Sequence, residues 1–291
     1  MRTVDKNSVT SAVKATFDCK NARVEFLLSK LVEAVHDYAR DVSLTHAEWN
    51  EMIAFLTRAG EITDKERNEF VLLSDVLGLS SLVDMINSPG GATESSVLGP
   101  FHILGAPELA VGGDLIGDNP GDPVAVYGDV RNADGEPIEG ARLEIWQTAD
   151  NGLYSNQDEN QSAFNLRCRQ VTGADGKYGF STVRPAPYTV PSDGPVGSLL
   201  DATGRHPWRP SHLHFIVMAD GYRELVTELF PEDDPYLDED AVFGVRKSLI
   251  LHYQKLNDPA TLPLKFAAAD KLGASFSAVH FDFTLVPDTK E

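Results

Sequence analysis

The feature that most constrains this chain is a change of texture at Ser88-Pro-Gly-Gly-Ala92, where one hydrophobic period gives way to another. Before it, apolar residues recur at Phe26, Leu27, Leu31, Ala34, Val35 and Tyr38, a spacing that lays one apolar stripe along a helix from Val24 to Arg40. Thr45-His-Ala-Glu48 and Thr63-Asp-Lys-Glu66 match the capping box, in which the Thr and Glu side chains satisfy N–H groups at a helix start. Two more helices are therefore predicted, ending near Gly60 and Gly78. A short helix carrying Leu82, Val83, Met85 and Ile86 then runs into the proline and glycines, which interrupt regular structure. Beyond them come short β-type runs separated by Asp-Gly turns: Val124 to Val130, Ala141 to Trp146, and Gln170 to Thr172. Ala141, Leu143 and Ile145 share one face of their strand while Arg142, Glu144 and Trp146 share the other, which predicts a half-buried strand. His280 to Val286 alternates in the same way and is expected to close a sandwich. The chain reads as mainly β with an α-helical N-terminal region: a helical segment over 1–96 and a β-sandwich over 97–291.

A chain of 291 residues buries a full core without metal or disulfide staples, and Cys19 and Cys168 stand too far apart to suggest either. With 25 Lys+Arg against 44 Asp+Glu, the net charge of −19 repels phosphate backbones, which argues against nucleic acid as a partner. No apolar run approaches the roughly 18 to 20 residues of a membrane span. The N-terminus alternates polar and apolar residues without the apolar core of a signal peptide, so a cytoplasmic protein is expected.

The sharpest chemical signal is Arg209-Pro-Ser-His-Leu-His-Phe215. Histidines at i and i+2 of a strand, here His212 and His214, project from one face and can reach a common metal ion. They can equally be a buried pair bonded to backbone. Upstream, Tyr154 and Tyr188 sit at breaks between strands, where side chains converge on a rim, although a loop tyrosine is commonly a packing residue. With a phenol pKa of about 10, a tyrosinate ligand requires a strongly Lewis-acidic ion, which points to Fe(III) over Zn(II) or Mg(II).

Taken together, Ala92-Thr-Glu-Ser-Ser-Val-Leu-Gly-Pro-Phe101, Gly140 to Trp146, Gly-Leu-Tyr154, the Tyr188 loop and Arg209-Pro-Ser-His-Leu-His214 resemble the intradiol ring-cleavage dioxygenases in order and spacing. The N-terminal helices, Leu-Ser-Asp75, Leu-Val-Asp84 and Asp234 to Val245 are most similar to the hydroxyquinol 1,2-dioxygenase branch, with catechol 1,2-dioxygenases next. The resemblance implies one non-haem Fe(III) per subunit, held by Tyr154, Tyr188, His212, His214 and a hydroxide, with Tyr188 and His214 axial. It implies O2-dependent cleavage of an aromatic diol or triol, hydroxyquinol going to 3-hydroxy-cis,cis-muconate (maleylacetate). The hydroxide and the Tyr188 phenolate would each take one substrate proton. Arg209 would be a fixed cation stabilising negative charge near the ring.

By the same match the substrate pocket would be lined by Leu72, Asp75, Val97, Leu98, Gly99, Pro100, Phe101, Val190, Pro191 and Val242. Asp75 would accept from the extra hydroxyl that hydroxyquinol has and catechol lacks. Glu228 departs from the pattern, standing where catechol dioxygenases carry glutamine. Three states are open to it: protonated, paired with Arg209, or turned outward. The stripe from Phe26 to Tyr38 is either core or, as the resemblance implies, a homodimer interface with a lipid-like molecule in its groove. A catechol or chlorocatechol dioxygenase is the nearest alternative. From another class, a non-catalytic transthyretin-like β-sandwich shares the Asp-Gly turns and Gly-Lys-Tyr-Gly-Phe180, but it has no need of two tyrosines and a His-x-His pair.

Overall fold

The computed structural model describes residues 3–64 and 67–288, and its contacts divide it into two compact units, Met1–Glu61 and Ile62–Glu291. The first unit is helical: α1 (Val9–Lys14), α2 (Ala22–Asp41) and α3 (His46–Ile62). Asn21 starts α2 because its side chain accepts from the N–H groups of Arg23 and Val24. The expected capping box opens α3: Glu48 Oε2 accepts from Thr45 N at 2.9 Å, and Thr45 Oγ1 accepts from Glu48 N at 3.3 Å. α1 is tied to α2 by the Lys14–Glu33 ion pair and by Thr10 and His36 at 3.0 Å. The stripe on α2 is not core within the chain, since Phe26, Leu31 and Val35 are each more than half exposed, at 52%, 58% and 54%.

The second unit begins with α4 (Glu69–Val76) and α5 (Leu79–Asn87). In the second predicted capping box, Lys65 and Glu66 lie outside the described residues. The cap of α4 is instead Asn68, which accepts from Phe70 N at 3.2 Å and Val71 N at 3.1 Å. Strands follow in chain order: β1 (Gly113–Asp114), β2 (Pro123–Asn132), β3 (Arg142–Gln147), β4 (Arg167–Val171), β5 (Lys177–Val183) and β6 (Tyr188–Thr189). After the helix α6 (Pro195–Ala202) come β7 (Trp208–Arg209), β8 (Leu213–Met218), β9 (Leu225–Pro231), β10 (Ile250–Leu251), β11 (Gln254–Leu256), β12 (Phe276–His280) and β13 (Phe283–Leu285).

One sheet runs β1-β5-β2-β12-β11, with β13 also on β2; the other runs β10-β9-β8-β3-β4; β6 and β7 form a two-stranded ribbon. The two sheets face each other across a core in which Leu143, Ile145, Phe215 and Val217 meet Val124, Val126, Tyr178 and Phe180. The Phe215 ring lies 4.9 Å from Phe283 and 6.0 Å from Tyr178. Each side chain buried this way contributes roughly 1.5–3 kcal/mol. This is the predicted sandwich.

The last predicted strand differs from expectation. His280 to Val286 is not one strand: β12 stops at His280, the chain steps aside at Phe281 and Asp282, and β13 resumes beside β2 in unbroken register, from Ser277↔Val124 to Phe283↔Val130. The step is possible because residue 128 is glycine; a Cβ there would fall 1.7 Å from the Phe281 carbonyl oxygen. That oxygen accepts from Tyr178 Oη at 2.7 Å, and Asp282 accepts from Asp129 N at 2.9 Å. Among the described residues no helix is long and apolar enough to cross a membrane.

Candidate active site

The outer face of the second sheet carries the site. In its register Trp146 on β3 stands opposite His214 on β8, and His214 stands opposite Glu228 on β9, while the alternate residues Ile145 and Phe215 point into the core. His212 lies one residue ahead of β8, on the same side as His214. The half-buried strand predicted at Ala141–Trp146 holds at Arg142, which is exposed, and at Glu144, which is partly so, and fails at Trp146, which is 1% exposed. It stacks on the His214 imidazole at 4.5 Å and 6°, and the His102 ring lies 4.9 Å away on a 57° tilt. The face that a two-layer sandwich would leave wet is covered by the segments carrying His102 and Tyr154.

Four donors meet at this face. Tyr154 Oη lies 3.0 Å from His214 Nε2 and 3.3 Å from His212 Nε2, and the two Nε2 atoms are 3.1 Å apart. Tyr188 packs edge-on to Tyr154, with ring centroids 5.4 Å apart, and 5.5 Å from the His212 ring. Phe101 stacks on Tyr154 at 4.7 Å. Gly99 lets this segment approach, since its φ is +69° and a Cβ would lie 3.3 Å from His214 Cε1.

The chemistry of the donor set fits a metal ion. His212 Nδ1 lies 2.7 Å from the Pro210 carbonyl, which can only accept, so the hydrogen is on Nδ1 and Nε2 keeps its lone pair. Burial, with the Glu228 and Arg209 charges acting in opposite directions, lowers the pKa of His212. Burial and the His212 charge push His214 well below its ordinary value. Both imidazoles are thus neutral, the state in which a ring nitrogen can ligate a metal. Burial, then the neighbouring Tyr188, raises the pKa of Tyr154 well above the ordinary phenol, and burial raises that of Tyr188. These phenols become anions only beside a strong Lewis acid. His214 Nδ1 is buried without a hydrogen-bond partner among the described residues, and Glu228 Oε1 lies 3.5 Å from it.

Arg209 sits beside Tyr188 across the β6–β7 ribbon and donates to its hydroxyl at 3.3 Å. Its guanidinium is held bidentate by Glu228, at 2.8 and 2.9 Å, and by Asp240, at 3.1 and 3.2 Å. Burial opposes the charge, but Asp240 and Glu228 outweigh it and raise the Arg209 pKa well above its ordinary value. Glu228, fully buried, takes the second of its three predicted states and also accepts from Ser96 Oγ at 2.8 Å. It offers a further oxygen near the histidines, for His212, His214 and Glu228 place ligand atoms within 4.8 Å of one another. Both its oxygens are already committed to Arg209, however, and breaking a buried pair of this kind costs about 3–5 kcal/mol.

A cavity of about 570 Å³ opens onto Tyr188 and Arg209, and all ten pocket residues predicted from the sequence line it. Its lining also includes Arg67, Ser80 and Asp84, which sequence reasoning missed. Leu-Val-Asp84 had been noticed only as a branch signature, and no motif marks the other two.

Residues 104–287 match the family model described as Dioxygenase, and residues 21–94 the model described as Catechol dioxygenase N terminus. With the sandwich fold and this site, the chain belongs to the intradiol ring-cleavage dioxygenases and is an oxidoreductase of that family. It is similar to the hydroxyquinol 1,2-dioxygenase of Rhizobium sp. (strain MTP-10005), at 42% identity over 97% of this chain and 95% of that one. It is 48% identical to the 6-chlorohydroxyquinol 1,2-dioxygenase of Cupriavidus pinatubonensis (strain JMP 134 / LMG 1197), over 89% and 95%. The crystal structure of hydroxyquinol 1,2-dioxygenase from Pseudomonas putida DLL-E4 superposes with a TM-score of 0.90 at 42% identity, covering 97% of this chain and 99% of that one.

Proposed function

We propose that this dioxygenase cleaves hydroxyquinol between its adjacent hydroxyl-bearing carbons, using O2 at a non-haem Fe(III) held by Tyr154, Tyr188, His212 and His214. The observation that carries the reading is the meeting of two neutral imidazoles and two buried phenols beside a cavity whose wall contains Asp75. When bound, ferric iron supplies the Lewis acidity that favours the tyrosinates and the diolate, and opens the ring to O2. The chain's own residues do the rest. Tyr188 Oη, next to Arg209, is placed to take a substrate proton. Arg209, locked between Glu228 and Asp240, keeps its charge in one place without reorganising. Val97, Val190, Pro191 and Val242 exclude water from the ring. Both oxygen atoms enter the product as one ring C–C bond breaks, giving 3-hydroxy-cis,cis-muconate.

Asp75 is half-buried, and burial raises its pKa despite the opposing Ser80 hydrogen bond and Arg209 charge. Such a carboxyl suits an acceptor for the third hydroxyl. Replacing Asp75 with alanine is expected to lower kcat/KM on hydroxyquinol by at least tenfold more than on catechol, about the worth of one buried hydrogen bond. Equal losses on both substrates would remove the role proposed for that carboxylate.

The same reading makes 1–96 a dimerisation and linker segment and 97–291 the catalytic domain. The exposed stripe on α2 supports a homodimer through the helical segment, with a lipid-like molecule in its groove. Composition supports a cytoplasmic enzyme that contacts neither nucleic acid nor membrane.

A further inference from the structure

Arg167 takes no part in the chemistry proposed above, yet it belongs to the same row of side chains. On β4 it stands opposite Trp146, so that Arg167, Trp146, His214 and Glu228 cross four adjacent strands in register. It is 2% exposed. Its Cζ lies 5.8 Å from the centroid of the Tyr154 ring. Its Nε donates to Ser155 Oγ at 2.7 Å and one terminal nitrogen donates to Asn156 Oδ1 at 3.0 Å, gripping the two residues that follow Tyr154. Ser155 Oγ is anchored in turn on the Ala163 carbonyl at 3.0 Å.

Arg209, equally buried, is neutralised by two carboxylates, whereas among the described residues no carboxylate lies within ion-pair distance of Arg167. Holding a guanidinium in the interior without an anion costs several kcal/mol. Burial pushes its pKa down to about 10, which still leaves it charged at neutral pH. The two tyrosines therefore sit in different fields. Tyr188 lies beside Arg209, which two carboxylates offset; Tyr154 feels that pair too, but has Arg167 over its ring as well, a cation with no carboxylate beside it among the described residues.

We propose that Arg167 is a positioning residue for Tyr154: its hydrogen bonds clamp the turn after the tyrosine, and its uncompensated charge lowers the energy of the Tyr154 ring electrons, making the two tyrosine donors inequivalent. This rests on the reading of Tyr154 as a ligand of ferric iron. It concerns the electronic character of that ligand, through a residue that does not line the substrate cavity.

The test uses the iron-loaded protein and reads the tyrosinate-to-iron absorption band alongside iron content. Removing the cation with Arg167→Met raises the energy of the donor electrons and moves the band to longer wavelength, by on the order of 10 nm for a unit charge at this distance in a partly screened interior. Arg167→Lys, which keeps a charge, shifts it by less than half as much. Ser155→Ala, which loosens the clamp and leaves the charge, shifts it hardly at all. Should Arg167→Met fail to hold iron, Arg167→Gln reads the same quantity while keeping a donor for Ser155. An unmoved band in an iron-replete neutral variant overturns the proposal, as does an Arg167→Lys shift equal to that of Arg167→Met. A wild-type protein with iron and no such band overturns the ligand reading itself, and this inference with it.

Discussion

Arg209, buried beside Tyr188, is fixed by two carboxylates that are distant from it in the chain. Its place three residues before His212 marked it, but its two carboxylate partners come from β9 and from the segment after it, 19 and 31 residues away. Only strand register brings Glu228 across from His214, and register cannot be read from a single strand. The same holds for Trp146, read as the outer face of a half-buried strand and found stacked on a histidine, and for Arg167, which no motif announces. Tyr154, Tyr188, His212 and His214, which the fold brings together, were legible through the family resemblance of their order and spacing, where residue types alone left a packing role open. The Arg209 cluster makes a pH-dependent contribution to stability. Burial raises the pKa of Asp240, but Arg209 and the N–H groups of Val242 and Gly244 prevail and hold it below the ordinary 3.8. A carboxyl depressed in this way stabilises the fold at higher pH and loses that contribution as pH falls below about 4, through its folded pKa. Denaturant unfolding across pH 2–6 is therefore expected to show a flatter acid limb for Asp240→Asn than for the wild type. Identical acid limbs would place the acid sensitivity elsewhere.

At the scale of elements, α6 is the connection between Tyr188 on β6 and Arg209 on β7, and it has no side-chain cap of its own, because Gly194 precedes it. It borrows one from α4. Glu69, fully buried, accepts from Val196 N at 3.0 Å and is held there by Arg67 Nε at 3.0 Å. Glu69→Ala is expected to cost about 2 kcal/mol, the sum of a lost cap and a lost hydrogen bond from Arg67, which keeps Asp193 as its partner. Hydrogen exchange should find the loss concentrated in the first turn of α6, and uniform destabilisation with unchanged exchange there would show that the cap is not what holds the helix. This helix has too short a pattern to be seen in the sequence, whereas α2 and α3 declare themselves by stripe and capping box. The break between β12 and β13 was hidden for another reason. Alternation continues through it, and what leaves room for the step is a glycine on β2, about 150 residues earlier in the chain.

At the scale of the whole molecule, the helical unit leaves Phe26, Leu31, Val35 and Tyr38 half exposed or more, an apolar stripe that a lone chain does not bury. If a second copy covers it, Leu31→Glu is expected to turn a dimer into a monomer in sedimentation velocity, with iron content retained. A wild type that sediments as a monomer at micromolar concentration would remove that role from the stripe. Two tyrosines and two histidines of the sandwich are proposed to bind ferric iron and present it to an aromatic diol. The visible spectrum and iron content of the purified protein, before and after anaerobic addition of hydroxyquinol, test this. About one iron per chain is expected, with a red-brown tyrosinate-to-iron band that shifts when the diol binds. A colourless protein that takes up no iron on reconstitution would contradict it.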